Sequence, residues 1–79
     1  MPIQSRVNGI FQEIFDDPTL HVTPETGPAD IADWDSVAQM KLVLAMEEAF
    51  GVQLATEEVA CLSNVGDFLK TLRKRGISG

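Results

Sequence analysis

The chain has 79 residues, 44% of them hydrophobic, and a formal net charge of −6. A chain of that length sustains one thin-cored domain over residues 1–79, and its composition is too apolar for a disordered tail. Twelve acidic residues against six basic ones also exclude a binder of duplex nucleic acid, whose affinity would come from Lys and Arg.

The charge is unevenly placed. Between Val7 and Leu69 the only Lys or Arg is Lys41, while Arg6 lies before this stretch and Lys70, Arg73, Lys74 and Arg75 lie after it. Such a body steers a partner with a basic surface towards it, although acidity also serves plain solubility. No stretch approaches the ~20 apolar residues of a membrane span. Met1 to Val7 lack the apolar run of a secretory signal, and Cys61, the only cysteine, permits no internal disulfide. The expectation is a soluble, cytoplasmic, monomeric protein in which Cys61 is a buried structural thiol.

In chain order, Ile3, Val7, Ile10, Phe11, Ile14 and Phe15 recur at three- and four-residue spacing and predict an amphipathic helix. Asp16, Asp17 and Pro18 end it, because proline has no N–H to donate. A long connection follows to about Trp34, with Pro18, Pro24, Gly27 and Pro28 in it. Connections of this length tend to be functional. Leu20, Val22, Ile31 and Trp34 can pin it to a core, and Thr23-Pro24-Glu25 can start a single helical turn. His21 within it is expected to be solvated or hydrogen-bonded, not catalytic.

The second helix is predicted from Ser36 to Phe50, with Gly51 just past its end. Its apolar residues cover most of the circumference, which predicts a helix buried on several sides at the centre of the bundle. Thr56 can cap a short third helix, with Glu57 and Glu58 in its first turn and Val59 and Leu62 facing inwards. Ser63 or Asn64 begins the last helix, whose stripe is Val65, Phe68, Leu69 and Leu72. Lys70, Arg73, Lys74 and Arg75 suit its negative end, and Gly76 stops it. No strand pattern competes. The fold class is all-α: a small four-helix bundle with a long first loop and a short third helix.

Asp33-Trp34-Asp35-Ser36-Val37 sits where the long loop enters the second helix. As a purely structural feature, Asp35 or Ser36 is an N-cap, and Ser36 with Gln39 forms a capping box. The clustered Asp30, Asp33 and Asp35 raise a calcium loop as a rival. A loop beginning at Asp33 would need glycine at its sixth position and glutamate at its twelfth, where Ala38 and Leu44 stand. That reading fails, and no metal site is expected. Ser36 is a candidate nucleophile without a general base, since the only histidine is fifteen residues upstream.

Asp35-Ser36-Val37, followed by Leu42-Val43-Leu44-Ala45-Met46-Glu47-Glu48-Ala49-Phe50-Gly51-Val52, resembles the acyl carrier protein family, and the order of helices and loops resembles it over essentially the whole chain. The family's usual motif is Asp-Ser-Leu, so Val37 replaces one apolar residue by another. The resemblance implies a carrier that is not an enzyme. It implies that Ser36 Oγ accepts 4′-phosphopantetheine from coenzyme A through a separate phosphopantetheinyl transferase, with Asp35 presenting the serine and the transferase's metal. A helix N-terminus also suits the attached phosphate.

It further implies docking of acyl-loading and acyl-processing enzymes with basic surfaces on Val37, Gln39, Met40, Lys41, Glu47 and Glu48. An acyl chain sheltered in the bundle would meet Met40, Val43, Leu44, Met46, Val59, Leu62 and Phe68, where Met side chains repack readily. Ala38 and Lys41 depart from the acidic ladder usual in bacterial fatty-acid carriers. With Trp34 before the Asp-Ser pair, they point to a specialised carrier of fatty-acid, polyketide or related acyl synthesis. An aminoacyl or peptidyl carrier, and a helical interaction module with no modified serine, are the alternatives.

Overall fold

The four-residue spacing of Ile3, Val7 and Phe11 sets them on one side of a helix. In a computed structural model of the chain, which describes residues 3–77, all three are buried. Four helices follow one another: α1 (Ile3–Ile14), α2 (Ser36–Phe50), α3 (Thr56–Ala60) and α4 (Val65–Lys74). There is no strand among the described residues, and none of their helices is long and apolar enough to cross a membrane. The predicted all-α bundle, its long first loop and its short third helix are all present.

The core is built where α1, α2 and α4 meet. Phe11 stands edge-on to Trp34 (centroids 5.2 Å apart) and to Phe68 (6.0 Å), and Phe15 and Phe68 flank Trp34 at 6.3 and 6.4 Å. Such tilted and edge-to-face pairs are the favoured arrangements of ring quadrupoles. Leu42, Val43 and Met46 of α2 and Val65, Leu69 and Leu72 of α4 complete it.

The long loop is a strap. After α1, Asp16 takes a left-handed φ of 50°, tolerable for a short polar side chain. Asp17 then turns the chain by accepting the Thr19 hydroxyl (2.7 Å) and N–H (3.0 Å), which lowers its carboxyl pKa. Gln12 donates to the Leu20 carbonyl (2.9 Å), and Asn8 accepts the Val22 N–H (2.7 Å). These bonds hold the strap on α1 while Val22 and Trp34 enter the core. On the other side the carbonyls of Thr26 and Pro24 accept the N–H groups of Val65 and Gly66, both at 2.8 Å. A Cβ at Gly66 would lie 2.8 Å from the Pro24 oxygen, so only glycine permits this approach. Thr23-Pro24-Glu25 forms a turn closed by Thr26 N–H on the Thr23 carbonyl, not a helical turn.

Three further expectations are corrected. α2 is not buried all round: Val37, Met40 and Leu44 are 62, 55 and 59% exposed, because the five-residue α3 is too short to cover that side. Thr56 does not cap α3. Ala55 occupies that position, and Glu58 accepts its N–H (3.0 Å). Cys61 is exposed at the end of α3. Phe50 is only partly buried, with the Arg6 guanidinium 4.3 Å from its ring centre and donating to the Ala49 carbonyl (3.0 Å).

The remaining ends follow capping chemistry. Asn64, rather than Ser63, caps α4 by accepting the Asp67 N–H (2.9 Å), and Asp67 accepts the Ser63 N–H (2.8 Å). Gly51 takes a φ of 65° at the end of α2. Arg75, past the end of α4, pairs with Glu58 of α3.

Candidate functional site

Two roles compete for a polar residue at a helix start: capping the backbone, or keeping its side chain free. Here they are divided between neighbours. Asp35 has extended backbone (φ −110°, ψ −169°), and its Oδ1 accepts the Ala38 N–H at 2.9 Å. Ser36 is therefore the first residue of α2 and not its cap. Its side chain is exposed and makes no hydrogen bond among the described residues. The capping box of Ser36 with Gln39 does not form.

Gln39 has a different task. Its Oε1 accepts the Trp34 indole N–H at 2.7 Å, and its Nε2 donates to the Leu62 carbonyl at 3.3 Å. An indole only donates and a carbonyl only accepts, so the two partners fix which way the amide faces. The relay ties the strap, α2 and the α3–α4 connection together. A large buried Trp needs an acceptor for its N–H, and that was the sequence signal available for finding it.

Beside Ser36 lies an open groove of about 540 Å³ whose lining includes Trp34, Gln39, Met40, Val59 and Leu62. Of the residues expected to wall an acyl pocket, Met40, Val59 and Leu62 thus meet at this groove. Val43, Met46 and Phe68 are instead core, at 4, 0 and 1% exposure, and Leu44 stands on the outer face of α2. Of the expected docking residues, Val37, Met40, Lys41 and Glu48 are exposed on that outer face. Gln39 is half-buried in its relay, and the Glu47 carboxylate accepts the Leu54 N–H at 2.8 Å. Lys41 shares a separate depression with Asp16, Asp33 and Asp35. Ala38 is buried (8%) rather than displayed beside Ser36. His21 borders another depression, with Gln4, Ser5, Asn8 and Val22.

The corner fits a phosphopantetheine arm. The Ser36 hydroxyl is free and solvent-facing because Asp35 does the capping. The first N–H groups of a fifteen-residue helix favour an anion at that point. Ser36 itself lines the groove, which is open to solvent.

Comparison with known proteins bears on the chain as a whole. The family model described as "Phosphopantetheine attachment site" matches residues 5–72. The acyl carrier protein of Acidothermus cellulolyticus is 36% identical over 69 residues, covering 87% of this chain and 82% of that protein. The acyl carrier protein of Helicobacter pylori is 30% identical, with 89 and 90% covered. A meromycolate extension acyl carrier protein of Mycolicibacterium aurum is 31% identical, with 82 and 67% covered. Among solved structures, holo acyl carrier protein from Geobacter metallireducens superposes with a TM-score of 0.85 at 35% identity, covering 94% of this chain and 85% of that one. A chain from Mycobacterium tuberculosis gives 0.82 at 18% identity, which speaks for the fold alone.

Proposed function

The chain belongs to the acyl carrier protein family, and from that premise we propose that Ser36 is the residue to which its 4′-phosphopantetheine is joined. As a family member it is a carrier and not an enzyme, served by a phosphopantetheinyl transferase and by biosynthetic enzymes. The arm supplies a terminal thiol on which acyl cargo rides as a thioester.

One observation carries the assignment to Ser36: its hydroxyl is the free one at the mouth of α2, released from capping by Asp35. In the transfer, Ser36 Oγ gives up its proton and forms a phosphodiester at the pantetheine-side phosphorus of the coenzyme A diphosphate, and the P–O–P bond breaks to release adenosine 3′,5′-bisphosphate. Asp35 uses one carboxylate oxygen on the Ala38 N–H. The other is available to the transferase's metal, so the same residue holds the helix end and presents the serine. Residues 1–79 act as one carrier domain. Val37, Met40, Lys41 and Glu48 form the face that partner enzymes meet, with Lys41 the one exposed cation on it. That cation and Trp34 support a specialised acyl pathway. The relatives are acyl carriers by name, which favours acyl over aminoacyl cargo.

The test is incubation with coenzyme A and a broad-specificity phosphopantetheinyl transferase, followed by intact-mass measurement and peptide mapping. One arm per chain, on the peptide containing Ser36, is expected. An unmodified protein beside a loaded control carrier would overturn the proposal.

A further inference from the structure

A carrier can keep its cargo inside the bundle or outside it, and two features of this chain bear on the choice. The first is that the space behind α2 is filled. Phe11, Leu42, Met46, Phe68 and Leu69 are at most 2% exposed, and Trp34 lies among three phenylalanine rings. A closely packed interior accepts extra methylenes only by forcing side chains off their positions.

The second feature is the relay from Trp34 through Gln39 to the Leu62 carbonyl, with bonds of 2.7 and 3.3 Å. Its three residues, Trp34, Gln39 and Leu62, all line the groove beside Ser36. An alkyl chain starting at Ser36 could pass between α2 and the α3–α4 connection only by parting this relay. That would leave the partly buried indole N–H without its acceptor. The Gln39 amide also keeps a second N–H without a partner among the described residues, at a groove with polar as well as apolar lining.

We propose that Gln39 is a positioning residue that keeps the interior shut through Trp34 and Leu62, so that cargo stays in the surface groove and the carrier is suited to short, oxygen-bearing acyl groups rather than long alkyl chains. The cargo half of this inference rests on attachment at Ser36. The closed interior does not.

The experiment has one arm for each half. In the unloaded protein, the Trp34 indole N–H is followed by proton NMR and solvent exchange in wild type, Gln39→Ala and, in case that variant unfolds, Gln39→Leu. Strong protection in wild type and its loss in the variants are expected. Rapid exchange in wild type would overturn the closed interior. In the second arm, acetyl and octanoyl forms of the loaded protein, verified by intact mass, are treated with hydroxylamine. Each methylene moved from water into the interior would favour the inserted form by about fourfold. Wild type should therefore lose both thioesters at rates within about twofold, whereas a variant opened at Gln39 should protect octanoyl by about tenfold or more through two or more buried methylenes. Octanoyl protected to that degree in wild type would overturn the proposal. A protein that takes up no arm while its indole N–H stays protected would count against Ser36 and leave the closed interior standing.

Discussion

The two faces of α2 are made of similar residues and used in opposite ways. On the inner face Leu42, Val43 and Met46 are at most 4% exposed, in one core cluster with residues of α1 and α4. On the outer face Val37, Met40 and Leu44 are more than half exposed, in line with Ser36. Burial of a helical residue is decided by what stands opposite it, and a five-residue α3 with no fully buried side chain leaves the outer face open. Exposed large apolar side chains gathered on one helix face are the ordinary mark of a surface that meets partners.

The contrast breaks most visibly in stability. Phe11→Ala, at the centre of the aromatic cluster and 0% exposed, should lower unfolding free energy by about 3–5 kcal/mol, most of what a domain of this size has. Leu44→Ala on the outer face should stay within about 0.5 kcal/mol. Urea denaturation of the pair measures the difference. Equal losses would mean that the outer face is covered after all. Phe50→Ala belongs between them, since its ring is partly buried and lies under Arg6. A loss of about 1–2 kcal/mol is expected, from partial burial and the cation–π contact.

Smaller effects sharpen the picture of α3. The Arg75 guanidinium and then the Ala55 N–H hold the Glu58 carboxyl below its usual pKa. A lowered folded value means that this contribution is complete above the ordinary glutamate range, about pH 4–5, and is lost as pH falls through the lowered value. Hydrogen exchange of α3 amides, corrected for its intrinsic pH dependence, should show α3 opening more readily on acidification before α1 or α4 does. Glu58→Gln should remove that difference. Smallest of all is the charge on the outer face. Lys41→Glu should speed transfer to an enzyme with a basic docking surface by about two- to fivefold at low salt, the scale of an exposed ion pair, and less as salt is added. Ala38, being buried, is left unchanged in this test.

Much of this was legible in the residues. The stripes of α1 and α4, the breaks at Asp16-Asp17-Pro18 and Gly51, and the entry of Val22 and Trp34 into the core all follow from periodicity and backbone chemistry. What was not legible depends on neighbours distant in the chain. Periodicity could not separate the two faces of α2, because both are apolar. It could not tell that Gln39 faces Trp34 and Leu62, or that Glu47 serves Leu54, since those bonds need the folded positions of other elements. Asp35 and Ser36 are both good caps in isolation, and only the backbone angles and the bond to Ala38 divide the roles.

That division is the centre of the account, and Asp35→Ala and Ser36→Ala measured side by side test it most directly. Each variant is unfolded in urea and, separately, exposed to coenzyme A and the transferase. Removal of the cap in Asp35→Ala should lower stability by about 0.5–2 kcal/mol. Ser36→Ala should take up no arm and change stability by less than about 0.5 kcal/mol, as expected for a side chain that holds nothing in place. An arm retained in Ser36→Ala, or a loss of stability there as large as in Asp35→Ala, would contradict the assignment of cap and attachment point.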